Sequence, residues 1–90
     1  MNDQYKPTIE ELNELAEVAA AIKRGEELHP GPFSVTEWDQ ALTEELEEMS
    51  AELYTGKIDF QRLHDELIDI TVVAYRWACQ IKDELNGQKK

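Results

Sequence analysis

The sequence predicts an all-α protein, an antiparallel helical bundle of three long helices. Two observations carry this prediction: apolar residues recur at helical spacing in three segments, and two breaks rich in proline or glycine separate those segments. A third observation is size, because 90 residues make one domain with a modest core of its own. We therefore expect residues 1–90 to form a single helical domain, with flexible ends at 1–6 and 87–90.

The first helix is predicted to begin at about Thr8 and to end near Arg24 or Leu28. Thr8 and Glu11 have the spacing of a capping box, in which each residue bonds the backbone N–H of the other. Gly25 leaves the end of this helix open between the two positions. The apolar residues of the segment follow helical spacing: Ile9, Leu12, Leu15, Ala16, Ala19 and Ile22.

The connector at residues 29–33 reads His-Pro-Gly-Pro-Phe and cannot continue a helix, because proline lacks the backbone donor. Ser34 and Thr36 then compete as the cap of a second helix, which the Thr55-Gly56 pair ends. Its apolar stripe comprises Trp38, Leu42, Leu46, Met49 and Leu53.

The third helix is predicted from about Phe60 to Leu85, capped by Asp59 and ended by Asn86-Gly87. Its main apolar stripe comprises Leu63, Leu67, Ile70, Ala74, Trp77, Ile81 and Leu85, and a second apolar set comprises Ile68, Val72, Tyr75 and Cys79. Two other helices can hardly cover both sets. We expect either a kink in this helix or a four-helix-type core completed by oligomerisation, as a homodimer or homotetramer.

Composition excludes several classes of function. A formal net charge of -11 disfavours binding to nucleic acid and to anionic membrane surfaces. Cys79 is the single cysteine, so no intramolecular disulfide and no multi-thiolate zinc site is possible. No run approaches the roughly 18 apolar residues of a membrane span, and we expect a soluble cytoplasmic protein. A phosphate-bearing small molecule can still bind where metal ions neutralise the site.

Two pairs of carboxylates lie on either side of the Gly56 break. Glu45 and Glu48 are three residues apart on the second helix, and Glu66 and Asp69 are three apart on the third, so each pair shares a helix face. Most acids in such a chain form a solvated face. Asp69 differs because it lies in an apolar run, where burial of an unpaired charge is costly.

The residue that compensates the charge of Asp69 stays open on spacing alone. Arg76 lies seven residues on and nearly on the same face, Lys82 of a neighbouring chain is an alternative, and a metal ion is the third. The four carboxylates supply oxygen ligands without cysteine or clustered histidine, and this donor set suits Mg²⁺ or Mn²⁺ better than zinc.

The segment Glu44-Glu45-Leu46-Glu47-Glu48, followed by Glu66-Leu67-Ile68-Asp69, resembles the EExxE and ExxD motif pair of the MazG-like all-α nucleotide pyrophosphohydrolases. This superfamily includes the dimeric dUTPases. EExxE alone is weakly specific in a glutamate-rich chain, whereas the two motifs on adjacent predicted helices are more specific.

This resemblance implies an enzyme that cleaves a nucleoside triphosphate between its α and β phosphates, giving the monophosphate and pyrophosphate. It implies that Mg²⁺ is held by Glu45, Glu48, Glu66 and Asp69, and that the metal activates a water. Glu44 is a candidate catalytic base or a solvated residue, with its outward wheel position favouring the latter. The candidate substrate-binding residues are Trp38 for the base and Lys57 and Arg76 for the phosphates. The alternatives are that Trp38 is an aromatic core residue, as is more common at helical spacing, and that the two cations are plain surface or paired residues.

Two other classes of function compete with the enzyme. A non-enzymatic helical dimerisation or interaction module, with a structural acidic cluster, would explain the apolar third helix and the short chain. An acidic mimic of nucleic acid would explain the charge, but it requires acids spread over an exposed face, against the burial predicted for Asp69.

Overall fold

The computed structural model describes residues 6–88, and over this range it is all-helical. The helices are α1, Ile9–Leu28; α2, Val35–Leu53; and α3, Phe60–Gln88. The all-α prediction is therefore confirmed. Of the ends predicted to be flexible, residues 1–5 and 89–90 lie outside the described residues.

The beginnings of the helices are those that the sequence predicts. Thr8 caps α1 in a complete capping box with Glu11, the backbone N–H of Glu11 donating to Thr8 Oγ1 at 3.1 Å. Ser34, and not Thr36, caps α2 through the same arrangement with Glu37. Asp59 Oδ1 accepts the backbone N–H groups of residues 61 and 62 at the start of α3.

A glycine lies inside each of two helices. α1 ends at the later of its two predicted positions, whereas the end of α3 differs from expectation. α1 runs through Gly25 to Leu28, and a Cβ at Gly25 would lie 3.2 Å from Arg76 Nη1, so the glycine lets α1 approach α3 closely. α3 runs as one continuous helix through Gly87 to Gln88, three residues past the predicted end at Leu85. The turn glycine is Gly56, which has a φ of 83°.

α3 is the helix against which the other two pack. Residue 14 contacts residue 64 of α3, residue 25 lies against residues 72 and 76, and residue 29 contacts residue 76. Later residues of the first segment thus contact later residues of α3, so α1 and α3 run parallel. Trp38 meets Gln80 whereas Glu52 meets Arg62, so α2 runs antiparallel to α3. Because α1 and α2 approach different parts of the α3 surface, a groove lies between them.

The core of the isolated chain is thin. Among the described residues, the buried apolar side chains are Ala21, Trp38 and Val72. The accessible surface is 7304 Å², against roughly 5,400 Å² for a folded monomer of this mass. The Cα radius of gyration is 15.6 Å, against about 12 Å for a compact domain of this length. Within residues 6–88 no helix is both long and apolar enough to cross a membrane.

Candidate metal centre

Three carboxylates converge between α2 and α3. Glu45, Glu48 and Glu66 each offer an oxygen, and the three oxygens all lie within 4.8 Å of one another. The antiparallel α2–α3 hairpin produces this convergence, because it sets the face that carries Glu45 and Glu48 against the face that carries Glu66. The two carboxylate pairs predicted on either side of Gly56 therefore come together, with three of the four carboxylates in one cluster.

The strongest anomaly of the site is that two of its oxygens are buried and unpartnered. Glu45 Oε2 and Glu66 Oε2 are both inaccessible to solvent and accept no hydrogen bond. A buried acceptor without a partner costs free energy, more so when it is charged. Neither a solvated face nor an internal ion pair accounts for these two atoms.

The electrostatics of the cluster favour protonation in the absence of a cation. Burial, and then the charges of Glu48, Asp69 and Glu66, raise the pKa of Glu45 to about 7. Burial and the charges of Glu48 and Asp69 raise the pKa of Glu66, although Arg62 acts in the opposite direction. A divalent cation would reverse both effects by stabilising the ionised carboxylates.

Asp69 does not have the environment that its apolar neighbours in the sequence predict. The residue is exposed, and it lies outside the group of three converging oxygens. Partial desolvation and the charges of Glu48 and Asp65 raise its pKa, while Arg24 of α1 lowers it. The burial prediction for Asp69 is thus wrong, because α1 and α2 leave this part of α3 open to the groove.

Arg76 is not the compensating partner of Asp69. Its guanidinium donates to the backbone carbonyl oxygen of His29 at 2.8 Å and lies over the rings of Trp38 and Phe33, 5.3 and 5.9 Å from their centroids. Arg76 therefore holds the end of α1 and the connector against α3.

A cleft of about 430 Å³ extends from Glu45 of the carboxylate cluster to the aromatic residues. Glu44, Glu45, Trp38 and Arg76 all line it, so the structure brings four of the predicted site residues to one cleft. Glu44 is exposed there, as its wheel position predicts, yet it borders the same space as Glu45.

The aromatic wall of this cleft is fixed by Gln80. Its Oε1 accepts from Trp38 Nε1 at 2.9 Å and from the backbone N–H of Phe33 at 3.1 Å, and its Nε2 donates to the carbonyl oxygen of Phe33. Trp38 is 5% exposed and packs edge-on against Phe33, with 4.9 Å between ring centroids. The indole is thus a rigid floor, and Phe33 is the more accessible ring.

Lys57 and Glu52 lie at the other end of the α2–α3 hairpin. Lys57 is exposed in the turn, outside the lining of the aromatic cleft.

Glu52 is 8% exposed and pairs with Arg62 at 3.4 Å, a buried charge that sequence reasoning missed. The burial of Glu52 could have been predicted from its position on the helical wheel. Like Glu45, it lies at the edge of the apolar stripe of α2.

A second convergent group, formed by Glu14, Glu17 and His64, lies between α1 and α3. His64 Nε2 lies 3.0 Å from Glu14 Oε2, and this hydrogen bond is the main reason that the pKa of His64 is raised. The pair links two packed helices, a structural role for this histidine.

Comparison with protein-family models, with curated proteins and with solved structures found no match for this chain. The donors of the metal centre are carboxylate oxygens, which suit Mg²⁺ and Mn²⁺, and its two buried, unpartnered oxygens are the atoms that a hard cation would satisfy.

Proposed function

We propose that this chain is a Mg²⁺-dependent nucleoside triphosphate pyrophosphohydrolase, with Mn²⁺ as a possible substitute. The substrate is an NTP or dNTP, and the products are the monophosphate and pyrophosphate. The observation that carries the proposal is the pair of buried, unpartnered oxygens of Glu45 and Glu66, with Glu48 completing a three-oxygen set. The EExxE and ExxD resemblance supports the same chemistry.

Each residue of the centre has a distinct part. Glu45, Glu48 and Glu66 would hold the cation, and Asp69 in the lining of the groove would add a ligand. A divalent cation held there would supply neutralisation of phosphate charge and a water of lowered pKa. Glu44, exposed and in the same cleft, is the candidate base that accepts the proton of that water as its oxygen bonds to phosphorus and the bridging P–O bond breaks.

The nucleotide fits the cleft beside the centre. Trp38 and Phe33 provide an apolar floor and an accessible ring, and Arg76 provides a cation at the junction of the cleft with the groove between α1 and α2. Lys57, in the turn at the far end of the hairpin, is a phosphate contact by prediction alone. A nucleotide substrate would agree with the cytoplasmic location expected from the sequence.

The decisive experiment is a panel of canonical and modified NTPs and dNTPs, incubated with the pure protein with and without Mg²⁺. Release of pyrophosphate that requires Mg²⁺, and that falls at least 100-fold in Glu48→Gln, supports the proposal. A matched control is Glu47→Gln, an exposed position on the same helix outside the cluster. Absence of turnover across the whole panel would overturn the proposal.

We also propose that a second copy of this chain covers the main apolar stripe of α3. Glu66 and Gln80 face α2, and His64 and Val72 face α1. On a helical wheel the centre of the main stripe lies about 90° from the side of α3 that faces α2. It also lies away from the side of α3 that faces α1. Within residues 6–88 the main stripe is therefore only partly covered: Leu67, Ala74 and Leu85 are exposed, and the other four residues of the stripe are half-buried.

The amount of uncovered surface fits this second copy. Leu67 and Leu85 in the stripe are each 47% exposed, and Trp77 Nε1 is buried without an acceptor. The chain exposes about 1,900 Å² more than a typical folded monomer, enough for an interface of ordinary size on each partner. A homodimer or homotetramer follows, and sedimentation equilibrium of wild type against Ile81→Glu would measure it. A wild-type monomer at micromolar concentration would contradict it.

The same stripe favours the competing function, a non-enzymatic helical interaction module. That alternative predicts an oligomer whose thermal stability ignores Mg²⁺ and which turns over no nucleotide. A cation that binds the folded state must raise its stability by mass action, so thermal melts with and without Mg²⁺ separate the two functions.

A further inference from the structure

Arg24 of α1 borders the metal centre from the side opposite the aromatic cleft. It lines a groove of about 290 Å³ between α1 and α2, together with Glu45, Asp69 and Arg76. It is exposed, and none of the hydrogen bonds or salt bridges found among residues 6–88 involves it. Its positive charge acts on Asp69, which places the guanidinium within electrostatic reach of the centre.

Arg24 and Arg76 differ in what their guanidinium groups already do. Arg76 donates to the carbonyl oxygen of His29 and packs over two aromatic rings, so its position is set by the fold. Arg24 makes no comparable contact and retains its planar set of donors, a geometry that matches the oxygens of phosphate.

The two cavities share part of their lining, including one carboxylate of the cluster. Glu45 and Arg76 line both the aromatic cleft and the groove that contains Arg24. A nucleoside in the cleft would therefore direct its phosphate chain past Glu45 into the groove. The groove has acids at its Glu45 and Asp69 side and a free cation on α1, so it can take a polyphosphate whose remaining charge a metal has partly neutralised.

We infer that Arg24 binds the terminal phosphates of the substrate, the part that leaves as pyrophosphate. This inference rests on the proposed function, because it assigns a residue to the same site. It makes α1 a part of the binding site, whereas the EExxE and ExxD pair lies entirely on α2 and α3.

The test uses inorganic tripolyphosphate at constant Mg²⁺, titrated into the full chain by calorimetry. Removal of one charge-assisted contact should raise the dissociation constant about tenfold in Arg24→Gln. Lys23→Gln is the matched control, since it removes the same charge from the adjacent exposed position outside the groove lining, and its affinity should stay within twofold of wild type. Arg24→Lys should recover part of the loss. Thermal stabilisation by Mg²⁺ alone should be equal in all four proteins.

The outcomes separate this inference from the proposed function. Equal affinity of Arg24→Gln and Lys23→Gln, or no binding of tripolyphosphate by wild type, overturns the role of Arg24. Wild-type binding that depends on Arg24, in a protein that hydrolyses no nucleotide, supports the phosphate contact and overturns the enzyme. Nucleotide turnover with a KM unchanged by Arg24→Gln leaves the enzyme standing and overturns the contact.

Discussion

Glu45 on α2 and Glu66 on α3 each keep one buried carboxylate oxygen without a hydrogen-bond partner, and Glu48 brings a third oxygen within 4.8 Å of theirs. A fold that buries two such atoms loses stability unless a ligand satisfies them. Binding of a cation by these carboxylates should therefore raise the stability of the folded protein.

Mg²⁺ should raise the thermal stability of the wild-type protein. At a concentration 100 times the dissociation constant, binding to the folded state alone adds about 2.7 kcal/mol, which for a domain of this size is roughly 10 °C or more in Tm. Differential scanning calorimetry measures the shift. Glu45→Gln and Glu66→Gln should lose it, whereas the exposed control Glu47→Gln should keep it. A shift of the same size in all four proteins would exclude the cluster as the binding site.

The metal-free protein should become less stable as the pH rises from about 4.5 to 7. Glu45 has a pKa of about 7 in the folded state against an ordinary value of 4.5, so over this interval the folded state binds more protons than the unfolded state. The expected loss is about 1–2 kcal/mol, less than full burial would give because Glu45 is partly solvated.

Urea denaturation at a series of pH values, in the presence of EDTA, measures this dependence. Glu45→Gln should flatten the profile between pH 4.5 and 7. His64 adds a change of the same sign at higher pH, because its raised pKa stabilises the folded state until the imidazole deprotonates. His64→Gln should remove that later part and leave the earlier part intact. A Glu45→Gln profile parallel to wild type would contradict the assignment.

Arg62→Gln should destabilise the protein by about 1–3 kcal/mol. Glu52 is nearly buried and Arg62 is its cation at 3.4 Å, so the substitution leaves a buried carboxylate without a partner. Glu52→Gln removes the charge itself and should largely relieve that penalty. A double-mutant cycle by chemical denaturation tests the coupling, and strictly additive effects would show that the pair is energetically independent.

Gln80→Leu should cost about 2–3 kcal/mol and free the aromatic wall of the cleft. The substitution removes three hydrogen bonds that hold Trp38 and the connector at Phe33. The tryptophan emission should shift to the red as Trp38 gains water. Gln80→Glu keeps the acceptor oxygen that bonds Trp38 and the N–H of Phe33, and it should lose only the bond to the carbonyl oxygen of Phe33. Unchanged emission and stability in Gln80→Leu would contradict the role given to this side chain.

The sequence by itself determined the helices and where they begin. Capping boxes at Thr8 and Ser34, and the side chain of Asp59, act on the backbone of their own first turn, so local spacing was enough to predict them. The same local rules placed Glu45, Glu48 and Glu66 on helices that could meet. They left the end of α1 open at Gly25 and failed at Gly87, because helical packing or propagation outweighs the roughly 1 kcal/mol that a glycine costs.

The tertiary structure decided which acids are buried, because burial depends on where a second helix lies. Asp69 lies in an apolar run yet is exposed at the groove, while Glu52 and the inner oxygens of Glu45 and Glu66 lie under the α2–α3 contact. The two apolar sets of α3 predicted that α1 and α2 could not cover the whole helix, but the packing of those helices decided which residues of the main stripe, among them Leu67 and Leu85, stay exposed. The position of Arg24 beside the centre likewise follows from the parallel packing of α1 on α3, which no local pattern encodes.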